Sequence, residues 1–173
     1  MIEIRPLRAS DDRAGFCSGD PDLDRFFLRY AGQNQFRHHI GTTYVAVDDG
    51  TIKGFATIAA SSIEIEHLPA QKKAGLPQYP LPVLRLARMA VDRSARGQGI
   101  GNDLLRAVFS IASEMSRTVG CIGVVVDAKP DAVAFYARFG FERIEVVAGT
   151  LADRPPPVSM FLPIGTITAA MKG

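Results

Sequence analysis

Two cysteines, Cys17 and Cys121, are all that the 173 residues contain, and they lie far apart. Neither sits in a C-x-x-C pair or in histidine-rich company, so the sequence offers no disulfide framework and no zinc site, and no metal is expected. Long apolar runs are missing as well. No stretch reaches the roughly 18 residues needed to cross a bilayer, and Met1 to Asp12 is polar and charged where a secretory signal would carry an apolar core. Membrane insertion and secretion are therefore not expected, and a reducing cytoplasm fits the cysteine usage. Charge of one sign is not in excess either: twenty Lys and Arg stand against eighteen Asp and Glu, a net +2 with a pI near 8.7. That is too mild to demand a nucleic-acid partner, though it is compatible with a local basic patch. Internal repeats and low-complexity tracts are absent.

What is present is the balance of a folded globular chain, 47% apolar and 22% charged, at a length that suits one domain over residues 1–173. Ile2 and Ile4 alternate with Glu3 and Arg5, a short first strand. Asp20-Pro21 reads as an N-cap followed by proline at the first helical position, and Leu23, Phe26, Phe27 and Tyr30 follow at helical spacing, which predicts a helix from Pro21 to about Phe36. Thr42 to Val47 and Lys53 to Ala59 are strand-like runs around Asp48-Asp49-Gly50, the composition of a tight antiparallel hairpin. From Ser61 to Pro82 four prolines predict an irregular, ordered loop.

Val83 to Val91 resumes as a strand, Gly97 to Gly101 is a glycine-rich turn, and Leu104, Leu105, Val108, Phe109, Ala112 and Met115 trace the apolar face of a helix. Cys121 to Val126 is a nearly continuous apolar run, as in a strand buried on both faces and paired in parallel. Asp131 starts a short helix that Gly140 ends. Phe141 to Val147 and Val158 to Leu162 are two further strands, and a tail follows from Gly165. The expected architecture is α/β, a mixed sheet of six or seven strands flanked by helices.

The chemistry concentrates in Arg96-Gly97-Gln98-Gly99-Ile100-Gly101, between a strand and a helix. Glycines there let backbone N–H groups approach a phosphate, and the helix N-terminus adds about half a positive charge facing the anion. A plain glycine-rich turn is the bland alternative. A Walker A loop would need Gly-Lys-Ser/Thr where the chain has Gly101-Asn102-Asp103, and a dinucleotide fingerprint would need a glycine at Asn102.

Arg96-x-x-Gly99-x-Gly101 behind Leu86 to Asp92 resembles the acetyl-CoA signature of the GNAT acetyltransferases, and Ala134-Phe135-Tyr136 with Phe139-Gly140-Phe141 resembles a second element of that family. The resemblance spans Thr42 to about Leu162 for the fold. It implies a sheet splayed between the CoA-binding strand and the next. It also implies acetyl-CoA as co-substrate, with Met89, Ala90 and Val91 along its pantetheine arm and Arg96, Gly97, Gln98, Gly99, Ile100 and Gly101 at its pyrophosphate. A narrower resemblance, to the GNAT toxins of type II toxin-antitoxin modules, rests on Phe16-Cys17-Ser18-Gly19, Leu23 to Phe27, Ala31 to Gln35, Leu76 to Pro80 and Val126 to Lys129. It implies acetylation of the α-amine of aminoacyl-tRNA, Tyr136 as the catalytic tyrosine, a ribbon-helix-helix antitoxin as partner and a homodimer. The middle loop and the tail depart from it, which leaves the acceptor amino acid open.

Aminolysis of a thioester needs a neutral amine, an oriented carbonyl and a proton for the departing sulfur. A phenol with a pKa near 10 can supply that proton, so Tyr136 can act as general acid; the bland alternative is a core aromatic. Glu64, Glu66 and His67 are candidates for a base but are more readily read as solvated side chains, and water suffices for an α-amine with a pKa near 8. Arg25 and Arg29, four apart on the first helix, and Arg37, His38 and His39 beyond it form a basic strip that RNA phosphates could use. Arg85 and Arg88 lie on the CoA-binding strand near the expected acceptor. No supported Cys or Ser nucleophile points to a covalent intermediate. Acetylation of a small amine or protein terminus, and CoA binding without turnover, are the alternative readings.

Overall fold

Asp49 and Gly50 both take positive φ, 49° and 77°, the pairing that a two-residue turn matched to strand twist requires. Around them β2 (Thr42–Asp48) and β3 (Thr51–Ile63) pair antiparallel, Thr42 opposite Ile58 and Asp48 opposite Thr51, with a register shift between Ala46 and Val47. The hairpin is the one expected, but β3 runs four residues beyond Ala59. Residues 1–73, 75–145 and 157–172 are described by a computed structural model. Besides the hairpin strands, β1 (Glu3–Pro6), β4 (Leu81–Val91), β5 (Gly123–Ala128), β6 (Glu142–Arg143) and β7 (Val158–Pro163) complete a mixed seven-stranded sheet in the order β1-β2-β3-β4-β5-β7-β6. The described residues fall into two compact units, Met1–Ala59 with Leu86–Ser110 and Ala60–Arg85 with Ile111–Gly173.

In the first unit, α1 (Pro21–Arg29) starts as its sequence dictates. The Asp20 carboxylate accepts from the N–H groups of Asp22 at 2.9 Å and Leu23 at 3.3 Å, and Pro21 fills the position that needs no donor. Its buried face carries Phe26 and Phe27 into a core with Leu7, Val45, Ile52, Phe55 and Ala90. Phe27 and Phe55 stack at 4.4 Å and 2°, and Phe16 meets both edge-on. Gly54 is a packing requirement: a Cβ there would stand 2.9 Å from Ile100 Cγ2 and 3.1 Å from the Ala90 carbonyl oxygen.

The helix expected to reach Phe36 is broken instead at Tyr30. A short α2 (Ala31–Gln33) follows, then a widened π turn over Asn34–His38 that ends at His39 in the left-handed region, φ 55°. The widening accompanies the Gln35 side chain. Its amide nitrogen donates to the Leu7 carbonyl at 3.0 Å and its oxygen accepts from the Thr43 N–H at 2.9 Å, satisfying backbone groups at two strand ends.

In the second unit, Ile63, Leu68, Leu81, Val83, Val125, Ile144 and Phe161 form the core. β5 pairs antiparallel with β7, Gly123 opposite Pro163 and Ala128 opposite Val158, and β6 pairs with β7 on its other side. A side chain at Gly123 would collide with the Leu162 carbonyl and the Phe161 ring. Of the loop expected from Ser61 to Pro82, the first residues belong to β3, which reaches Ile63, and the last to β4, which starts at Leu81 and takes in Pro82; single helical turns stand at Ile65–His67 and Ala70–Lys72. The strand expected from Cys121 begins two residues later, since Cys121 is buried with its thiol donating to the Gly123 carbonyl at 3.2 Å. The tail expected from Gly165 is a helix, α5 (Ile164–Met171), with Ile167 buried. Val146, Val147 and Pro155-Pro156, placed in or between the last two expected strands, lie outside the described residues. No helix among the described residues is long and apolar enough to cross a membrane.

Candidate active site

β4 carries Met89, Ala90 and Val91 into the glycine loop. Ala90 points into the core of the first unit at 8% exposure while Met89 and Val91 are half-buried, as alternation along a strand requires. Asp92 then fixes the turn. Its carboxylate accepts from the Cys17 N–H at 2.9 Å and from the N–H and hydroxyl of Ser94 at 2.9 and 2.8 Å. Burial alone would raise its pKa, but these donors and the charge of Lys53 prevail and hold it below the usual carboxylate range.

Gly97 and Gly99 follow with φ of 78° and 79°, and a Cβ at either would meet nothing within 4 Å. These glycines are demanded by backbone conformation, not by crowding. α3 (Ile100–Thr118) starts directly behind them, Asp103 N–H bonding to the Gly99 carbonyl at 3.0 Å. Gly101 lies inside that helix without positive φ, and the N–H groups of the first turn have no intrahelical acceptor by position. Residues 96–99 are exposed while Ile100 is buried, so a rigid helix start presents an open, N–H-rich loop. The Arg96 guanidinium turns away from the loop and donates to the Ser18 carbonyl at 2.5 Å.

The arginines expected to meet substrate differ in what they already hold. Arg25 and Arg29 are exposed on α1, Arg25 making a loose 3.5 Å pair with Asp22. Arg88 lies over the Phe26 ring at 4.0 Å, a cation–π contact. Arg85, in the second unit, is held by Asp127 at 2.6 Å and bonds to Ser61 at 3.3 Å.

Tyr136 also belongs to the second unit, on α4 (Val133–Ala137). Its ring packs edge-on against Phe135 at 5.2 Å and Phe141 at 5.5 Å, and the residue is 5% exposed. Its carbonyl accepts from Phe139 and Phe141, which with Gly140 at φ 99° closes the helix. Burial pushes the phenol above its ordinary pKa. Among the described residues no group of three or more His, Cys, Asp or Glu lies where it could hold a metal ion.

In the first unit a strand runs into an open loop of left-handed glycines and a helix N-terminus; the second unit carries the buried phenol of Tyr136. Residues 39–143 match the acetyltransferase (GNAT) domain, and the chain belongs to that family of acetyltransferases. It is similar to a tRNA-acetylating toxin of Mycobacterium tuberculosis, 33% identical over 139 residues that cover 80% of this chain and 82% of that protein. Among solved structures, AtaT complexed with acetyl-methionyl-tRNAfMet is similar over 99% of both chains, with TM-score 0.86 and 25% identity. AtaTR bound with AcCoA is similar over 98% of both chains, with TM-score 0.79 and 26% identity.

Sequence reasoning assigns chemistry to the glycine loop and Tyr136 but none to Ser18, Asp24 or Asp92. The first two lie in motifs notable only for their resemblance, and hydrogen bonds between residues 78 apart leave no periodic signal.

Proposed function

We propose that this chain transfers acetyl from acetyl-CoA to the α-amine of an aminoacyl-tRNA and so acts as a toxin that blocks translation. The likeness to the tRNA-acetylating toxin over four-fifths of the chain carries this reading, and the full-length likeness to AtaT with its acetylated tRNA supports it. The exposed N–H groups of the loop from Arg96 to Gly101 take the pyrophosphate, Gly97, Gln98, Gly99 and Ile100 contributing backbone, while the β4 backbone at Met89, Ala90 and Val91 aligns the pantetheine arm.

The neutral α-amine attacks the thioester carbonyl carbon, the C–S bond breaks, water takes the proton that the new amide releases, and Tyr136 protonates the departing thiolate and then recovers a proton from solvent. A phenol is protonated at neutral pH and has a proton to give in that role. Arg25, Arg29 and Arg88 meet RNA phosphates; Arg85 is already neutralised by Asp127 and contributes less. The family match runs through residues of both compact units, which favours one GNAT domain over 1–173. A ribbon-helix-helix antitoxin, a homodimer and a cytoplasmic site of action belong to the same reading. Incubating the protein with labelled acetyl-CoA and either charged tRNA or free amines tests it: label in the aminoacyl-tRNA supports the toxin reading, and label only in free amines removes it.

A further inference from the structure

Two motifs near the amino terminus, Phe16 to Gly19 and Leu23 to Phe27, carry Ser18 and Asp24, which have no part in acetyl transfer as described. Ser18 joins the two motifs. Its N–H and its hydroxyl both donate to Asp24 Oδ1, at 2.9 and 2.6 Å, and the same hydroxyl accepts from the Asp20 N–H at 3.1 Å. Ser18 is 6% exposed. Three hydrogen bonds on one buried residue fix the direction of its carbonyl, and that carbonyl accepts from the Arg96 guanidinium. The neighbouring backbone is fixed as well, because Cys17 donates its N–H to Asp92 and its carbonyl accepts from the Arg93 N–H at 2.9 Å.

Between Asp92 and the helix start, the glycine loop has few side chains of its own. Gly97 and Gly99 have no side chains, and among the described residues the Gln98 side chain makes no hydrogen bond; all four residues from Arg96 to Gly99 are exposed. Backbone entropy is largest at glycine, so a loop of this composition gains most from one fixed anchor. Gly19 completes the seat: it takes φ 95°, and a Cβ there would stand 2.9 Å from Arg93 Nε and 3.2 Å from Arg96 Nη2.

We propose that Ser18 and Asp24 are positioning residues for the acetyl-CoA loop, acting through Arg96. The inference rests on the reading that Arg96 to Gly101 holds acetyl-CoA. A loop whose N–H groups are pre-aligned binds the pyrophosphate without first being ordered, so the relay appears in co-substrate affinity and not in the chemical step.

The test is acetyl-CoA affinity by calorimetry for the wild type, Asp24→Ala, Arg96→Gln and the double variant, with turnover at saturating acetyl-CoA and a thermal melt on each preparation. Asp24→Ala removes both bonds that Ser18 donates to it, and Arg96→Gln removes the charge-assisted bond to the Ser18 carbonyl. Each is expected to weaken acetyl-CoA binding about tenfold, and turnover at saturating acetyl-CoA is expected to stay within about twofold of wild type in Asp24→Ala. The double variant is expected to bind no worse than Arg96→Gln alone, because both changes break one relay. A merely structural Asp24 would lower the melting temperature and leave the affinity of the folded protein unchanged. Unchanged affinity, or losses that multiply in the double variant, would overturn the relay. If Asp24→Ala fails to fold, Ser18→Ala, which keeps the N–H bond to Asp24, takes its place with the same expected loss and the same refuting results. A wild type that binds no acetyl-CoA would overturn the co-substrate reading and the relay with it, whereas binding that the variants leave unaltered removes only the relay.

Discussion

Arg85 and Asp127 form a 2.6 Å ion pair, and Asp127 also accepts from the Ser159 hydroxyl at 3.3 Å, so an arginine beside the expected acceptor region is tied to the strand next to it. Their side chains are 29% and 32% exposed. At that exposure solvent screens much of the attraction, and a double-mutant cycle of Arg85→Gln and Asp127→Asn in denaturant is expected to give a coupling of about 0.5–1 kcal/mol. Because the charge is already compensated, Arg85→Gln should leave the salt dependence of charged-tRNA binding nearly unchanged. Replacing Arg25 and Arg29 together should flatten that dependence, since every phosphate left without its arginine releases about one counterion fewer on binding. Equal slopes for all three proteins would remove Arg25 and Arg29 from the RNA-binding surface.

Gly99→Val separates conformation from crowding in the loop. A β-branched residue at φ 79° is strained even though the space around it is open. About 1–2 kcal/mol of backbone strain in an exposed loop leaves the cores intact, while the N–H groups leave their aligned positions. A folded variant with at least tenfold weaker acetyl-CoA binding is expected by calorimetry. Gly101→Ala, at an ordinary helical position, should fold as well as wild type and weaken binding only through its new methyl group. Equal and undiminished affinities in both variants would remove the loop from the site.

The features legible in the sequence are those whose cause is local. Asp49-Gly50 specifies a hairpin by backbone preference, Asp20-Pro21 specifies a helix start by capping, and the glycine loop announces itself by spacing. Where tertiary packing decides, the pattern misleads. Helical spacing from Pro21 continues to Phe36, but the chain widens into a π turn where the Gln35 side chain bonds to two strand ends. Gly165 and the alternating threonines hide the Ile164–Met171 helix, since they resemble a frayed tail until Ile167 is buried. Tyr136 is legible as a candidate through its motif, while its burial, and so its raised pKa, depends on Phe135 and Phe141 packing around it.

Acid stability has an identifiable contributor in Asp11. Its carboxylate takes two 2.8 Å bonds from Arg5 and a 2.7 Å bond from the Arg8 N–H. The Arg5 hydrogen bonds, against an opposing desolvation, hold its pKa below the ordinary carboxylate value. A depressed folded-state pKa contributes stability above the unfolded value near 3.9, and that contribution is lost as pH falls through the folded value. Asp11→Asn should therefore be less stable than wild type at pH 7, with the difference shrinking steadily below about pH 4. Urea titrations at several pH values check this, and a difference independent of pH would refute it.

The pH profile of turnover carries a related expectation for Tyr136. With its phenol raised above the usual value by burial, the acid form persists through the alkaline range, so no loss of rate up to about pH 9 should trace to its ionisation. An alkaline fall that disappears in Tyr136→Phe would contradict that.

Single-turnover acetyl transfer to charged tRNA, measured at saturating acetyl-CoA for the wild type and Tyr136→Phe, tests the account most directly. The variant keeps the ring in its aromatic pocket and removes only the hydroxyl, so it should fold and bind acetyl-CoA like wild type. Loss of a general acid that acts only in the transition state should slow transfer by about a hundredfold or more. Transfer by the variant at the wild-type rate would remove Tyr136 from the mechanism, and a wild type that leaves charged tRNA unacetylated would contradict the proposed activity itself.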